Sequence, residues 1–153
     1  MVANVVVRTL RTPQSYSLNP ADIDNALDIA AASILNANRL RLQQGRNTSG
    51  QPFRQSQRAR ETGATTLVET GSLLRSLTVL RPQIGGEVNA RIITVDPTAT
   101  NTRTGVPVLQ YARAHQLGLG GLPVRRFLGI AGVDRTNAAR VFFSLLRDAV
   151  RLT

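Results

Sequence analysis

The strongest constraint on how this chain folds is a helix signal that begins at Asn19-Pro20. Asparagine is a favoured N-cap, and proline at the first helical position gives up only an N–H that had no intrahelical partner. Behind them Ile23, Ala26, Leu27, Ala30, Ala31, Ile34 and Leu35 recur at i, i+3 and i+4, which gathers them on one face of a helix. Asp22, Asp24 and Asp28 cluster in the first turns, Arg39 and Arg41 come late, and Gly45 follows. That order of charge complements the helix dipole, which is a sufficient role for the three aspartates. The pattern predicts a helix over 20–44, ~37 Å long.

The rest of the chain supplies shorter elements. The β-branched run from Val2 to Leu10, ending near Pro13, predicts a strand. "SLTVLRP" and "EVNARIITV" flank "QIGG" and predict two strands joined by a glycine turn. "LVETGSLLRSL" (67–77) predicts a short helix starting around Thr70, and "VLQYARAHQLG" another that Gly118 ends. "VRRFLGI" reads as extended. Asp134 looks like the N-cap of a last helix, with Ala138, Val141, Phe142, Leu145, Leu146 and Ala149 on one face and Arg140, Ser144, Arg147 and Arg151 opposite. There is no repeat and no domain boundary. The expected fold is a single α+β domain over 1–153: a small, mainly antiparallel sheet packed by the long helix and the C-terminal helix, with long basic loops.

Gly45 to Thr66 breaks the periodicity. "GRNTSGQPFRQSQRARETGATT" has Phe53 as its only large apolar residue, and six arginines lie between Asp28 and Glu61 with no acid among them. It reads as a long, mobile, basic loop. The whole chain leans the same way. All 19 basic residues are arginine against nine acids, a formal charge of +10. Such a balance favours polyanionic or acidic partners, and arginine's planar set of donors suits carboxylates, phosphates and subunit interfaces alike.

Several chemistries fall away. With no cysteine there are no disulfides, thiolate metal sites or thiol nucleophiles, and one histidine makes a histidine zinc site improbable. No apolar run is long enough to span a membrane, and the N-terminal cluster lacks the basic start and cleavage site of a signal peptide. The expected place of synthesis is the cytoplasm. A catalytic role for His115 would need a nucleophile beside it and a carboxylate to orient it. The nearest acids in sequence are Asp96 and Asp134, so an ordinary hydrogen-bonding histidine is expected. "LGLGG" (117–121) lacks the ending and the strand-to-helix context of a phosphate loop. No metal or cofactor is expected, and no enzymatic activity. Nucleic acid is the rival partner: arginine-rich loops could contact phosphates, although the scattered aromatics provide no stacking platform.

Four short motifs in order carry more information than composition. "GQPF" (50–53) places Gly50, Pro52 and Phe53. "LVETGSLLRSL" places Leu67, Thr70, Gly71, Leu74 and Ser76, with a one-residue shift. "YARAHQLG" (111–118) places Tyr111, Ala112, His115, Gln116 and Gly118, and "PVRRFLGI" (123–130) places Pro123, Arg125, Phe127, Leu128 and Gly129. The set resembles the virion-morphogenesis family of tail-completion, or neck, proteins of Mu-like and related tailed phages, over about residues 50–150. Arg126 stands where the family usually has proline, and "RQSQRARETGA" replaces a stretch that usually contains lysine.

The resemblance implies a non-enzymatic structural protein located in the virion tail or neck and assembled in the host cytoplasm. It implies a ring, six subunits being the expected number, around the DNA channel at the head–tail junction. Its expected partners are itself and the neighbouring tail-tube, terminator and head-connector proteins. On that reading Tyr111, His115, Gln116, Arg125, Arg126, Phe127 and Leu128 are candidates for the assembly surface, with His115 and Gln116 holding a turn and Phe127 and Leu128 anchoring the following strand, packed either at the interface or in the core. Arg54, Arg58, Arg60 and Arg103 are candidates for contact with partners or with packaged DNA.

Overall fold

The computed structural model of the chain describes residues 5–8, 18–82 and 90–151. Along it run β1 (Val5–Arg8), α1 (Pro20–Gln43), α2 (Gln57–Thr62), α3 (Ser72–Ser76), β2 (Leu77–Leu80), β3 (Ala90–Val95), α4 (Val108–Leu117), a 3-10 turn at Leu119–Gly121, and α5 (Gly132–Arg151). The three strands form one antiparallel sheet in the order β1-β3-β2. This is a small α+β fold, as the sequence predicts. The "QIGG" turn, and the ends of the expected Val2–Leu10 strand, lie outside the described residues.

Helix α1 starts where the Asn19-Pro20 signal places it: the Asn19 side chain accepts a hydrogen bond from Ala21 N at 3.0 Å. It packs against β2 and β3 on one side and against α5 on another. Ala26, Ala30 and Ala31 are among its buried residues, and small side chains let neighbouring backbones approach closely. In the sheet, Leu77 lies opposite Val95 and Val79 opposite Ile93. Leu77, Ile93 and Val95 join Ile34, Phe53, Leu67, Val108, Phe127 and Leu128 in one apolar core.

Two local expectations are corrected. Helix α5 begins at Gly132, not after Asp134. Asp134 lies in its first turn, where Oδ2 accepts from Ala131 N at 3.0 Å and also pairs with Arg41 at 2.7 Å. This is the returning half of a capping box rather than the cap itself. The 45–66 segment, read as a mobile loop, has structure of its own. Phe53 is buried, Arg46 and Pro52 bridge, and Phe53 N donates to Gly45 O at 2.7 Å. Helix α2 follows, capped by Ser56, whose hydroxyl accepts from Ala59 N, and ended by Gly63 in the left-handed region.

Candidate functional site

The motif-bearing residues meet where α4 ends. Gly118 takes a left-handed conformation (φ 71°), donates to Ala114 O and turns the chain back along the helix. A side chain there would meet Val124 Cγ2 at 2.8 Å and Leu122 O at 3.0 Å, so the turn requires glycine. The returning strand-like segment is then fastened in three places.

Gln116 makes the first fastening. Its carboxamide oxygen accepts from Phe127 N at 3.1 Å and Leu128 N at 3.3 Å, and its nitrogen donates to Leu128 O at 2.9 Å. A side chain thus satisfies backbone groups that no strand partner reaches. Asn38 of α1 makes the second: its oxygen accepts from Gly129 N at 3.0 Å, while its nitrogen donates to Ile34 O at 2.9 Å. Arg125 makes the third. Its Nε and one terminal nitrogen donate to Arg54 O at 3.2 and 3.0 Å, and the other terminal nitrogen reaches His115 Nδ1 at 2.8 Å. Arg125 N also donates to His115 O at 2.7 Å.

The electrostatics follow from this geometry. A guanidinium can only donate, so His115 Nδ1 accepts and the ring proton sits on Nε2. Burial and the Arg125 charge beside it lower the His115 pKa to about 4. Burial likewise pulls the Arg125 guanidinium below its ordinary value and raises the Tyr111 hydroxyl. Tyr111 meets the imidazole edge-on with ring centroids 4.4 Å apart. A catalytic triad places a carboxylate against Nδ1; here a cation occupies that position. Among the described residues no cluster of histidine and carboxylates could hold a metal ion.

The candidates for the assembly surface divide between core and surface. His115, Gln116, Arg125, Phe127 and Leu128 are buried within the subunit, with Arg125 only 3% exposed. Tyr111 is half-buried, and only Arg126 faces outward. Their side chains hold α4, the 45–54 segment and α1 together. The expected cationic contacts divide as well. Arg58 pairs with Glu69 at 3.0 Å, and Arg103 pairs with the other oxygen of the same carboxylate. Arg54 and Arg60 are exposed. The counter-charge of Arg58 therefore comes from Glu69 in the next segment.

No family model, no curated protein and no solved structure matches this chain. Among the described residues no helix is long and apolar enough to cross a membrane.

A second polar cluster escaped the sequence reading. Arg91, in the middle of the sheet, is fully buried and pairs with Asp24 at 2.6 Å and with Asp28. Arg81 joins the same two carboxylates from the rim. Hydrogen bonding from Arg91 holds the Asp24 carboxyl below its ordinary range. Two of the three aspartates credited to the helix dipole, Asp24 and Asp28, are the counter-charge of Arg91. The one sequence signal was an arginine inside "ARIITV", a segment otherwise suited to burial.

Proposed function

We propose that this chain is a structural virion protein of a tailed phage, a tail-completion subunit that forms a ring at the head–tail junction around the DNA channel. The observation that carries this reading is the convergence of the four motifs. Phe53, Leu67, Ala112, Phe127 and Leu128, drawn from all four motifs, share one apolar cluster. Thr48 N donates to Arg126 O at 3.2 Å, and Arg125 holds Arg54 O, so the first motif region is tied directly to the last. Residues that resemble a family pattern and also hold one another support a shared fold framework rather than chance matches of composition.

On this reading the ring subunits contact one another and acidic faces of the adjoining tail and head-connector proteins, with no catalysis. Mass spectrometry of purified particles should find the chain in virions, and negative-stain images of the purified protein or of tails should show closed rings, six-fold in the first instance. Absence from assembled particles would rule the reading out.

One observation favours a second reading. Arg135, Arg140 and Arg147 are exposed on α5, and none of them has an acidic partner among the described residues. A phosphate backbone would find cations there as well as at Arg54 and Arg126 on the loops. The structural reading expects weak, sequence-independent binding to duplex DNA. Nanomolar affinity at physiological salt, abolished by Arg140→Ala with Arg147→Ala, would make nucleic-acid binding the better account.

A further inference from the structure

A helix packed on one side against the body of a protein ordinarily turns a polar face to water. Helix α5 does not. Its inner side carries buried Ala138 and Leu146, while Val133, Thr136, Arg140, Phe143, Arg147 and Val150 are all exposed. Those six positions repeat at intervals of 3, 4, 3, 4 and 3 residues, which is the spacing of a helix–helix seam. The repeat runs nearly the whole length of the helix. Phe143 leaves 66% of its surface in water and Val133 63%, the two most exposed large apolar side chains among the described residues.

Charge on this face is one-sided. Arg140 and Arg147 stand in the seam on either side of Phe143, and the positions bordering it, Asn137, Ala139, Ser144 and Leu146, carry no charge. The acids of the helix lie off the seam. Asp134 turns to Arg41 at 2.7 Å, and Asp148 sits ~100° round the helix from Arg147. Elsewhere the fold brings carboxylates from other segments to its arginines: Asp134 to Arg41, Glu69 to Arg58, Asp24 and Asp28 to Arg91. Arg140 and Arg147 receive none among the described residues.

Such a face calls for an occupant that is apolar and acidic at once. A second copy meets half of that. Set antiparallel, it would place Val133 against Val150, but it would bring four arginines and no acid into one seam. Duplex DNA meets the other half: its phosphates would take the arginines and leave Phe143 and Val133 uncovered.

We infer that the outer face of α5 is the docking site for an acidic amphipathic helix of another protein. Its apolar residues cover Val133, Phe143 and Val150, and its carboxylates pair with Arg140 and Arg147. Aromatic and arginine side chains dominate contacts of this kind. The arginines also select, because a neutral or basic helix of the same shape would leave them buried without counter-charge. The contact does not depend on the ring reading, since a single subunit carries the whole face.

The probe is a synthetic helical peptide with leucines at the same spacing and a glutamate facing each of Arg140 and Arg147. It is made in one sequence for parallel and one for antiparallel seating. Fluorescence anisotropy should show one of them binding the wild-type chain, and a scrambled peptide of the same composition failing to bind. Phe143→Ser should weaken binding about tenfold or more and leave the melting temperature at the wild-type value. Arg140→Glu with Arg147→Glu should abolish binding, and a peptide with lysine in place of the two glutamates should restore it. Absence of that rescue, equal binding of the scrambled peptide, or binding of neither designed peptide would overturn the contact. Binding that Phe143→Ser leaves unchanged and duplex DNA displaces would overturn it in favour of phosphate. A chain that ignores both peptides but sediments as a dimer, and as a monomer with Phe143→Ser, would overturn it in favour of a second copy. None of these results bears on presence in virions, which mass spectrometry of particles decides separately.

Discussion

Arg91 and Arg125 are both buried arginines, yet one lies against two carboxylates and the other against none. Around Arg91 of β3, two aspartates from α1 meet it and Arg81, which directly follows β2, so the cluster carries no net charge. Burial alone would pull the Arg91 guanidinium down; its bonds to Asp28 and Asp24 outweigh that and hold it above its ordinary value. Arg125 has only a carbonyl and a neutral imidazole to accept its hydrogens, and burial prevails. The difference separates two uses of the same side chain. At the sheet, arginine neutralises. At the end of α4 it serves as a rigid fork of donors that fastens three pieces of chain.

The largest test removes the neutralising partners. Asp24→Asn with Asp28→Asn leaves Arg91 buried without a counter-charge, and breaking such a cluster costs about 3–5 kcal/mol. Urea denaturation should show that loss. A change below about 1 kcal/mol would mean that water reaches Arg91 and that the two sites do not differ as described.

Acid should separate the two sites next. His115 titrates near 4 in the folded chain, against an ordinary value of about 6.5 when unfolded. The unfolded chain therefore takes up this proton first as the pH falls. The stability held by neutral His115 is fully present above pH 6.5, declines between there and about pH 4, and is gone once the folded imidazole also titrates. At about 1.4 kcal/mol per pH unit the fall sums to no more than about 3.5 kcal/mol. The aspartate cluster should respond only at lower pH, because Asp24 is held below its ordinary range. Denaturation curves at stepped pH check this, and His115→Gln should flatten the slope between pH 6.5 and 4 without touching the response below.

The smallest test sits on two adjacent residues. Arg125→Met removes every donor from Arg54 O and should cost about 1–3 kcal/mol, with faster amide exchange in the 45–54 segment. Arg126→Ala, on the exposed neighbour, should stay within about 0.5 kcal/mol of wild type. Equal effects would place Arg125 on the surface after all.

Position in the chain explains which of these features the sequence displays. The bounds of α1, the paired strands and the stop at Gly118 are written in neighbouring residues: a cap, a period, a glycine. Helix α2 was missed because so short a helix buries only Ala59 and has no apolar period, although Ser56 and Gly63 mark its ends. That His115 and Gln116 hold a turn was legible, but the inward turn of Arg125 was missed because its main partner is a backbone group, Arg54 O, which every sequence contains and none advertises. The Asp24–Arg91 link was missed because it joins residues distant in sequence whose local roles were already accounted for.

The placement of α1 between the sheet and α5 also orders events in time. Residues 20–43 are synthesised early, but β3 arrives only at 90–95 and α5 at 132–151. Until both have emerged, the helix has wet flanks and only its own weak propensity to sustain it. Long loops must close before its contacts repay their entropy, which slows folding relative to a bundle of local hairpins. The element most plainly written in the sequence is among the last to become dry.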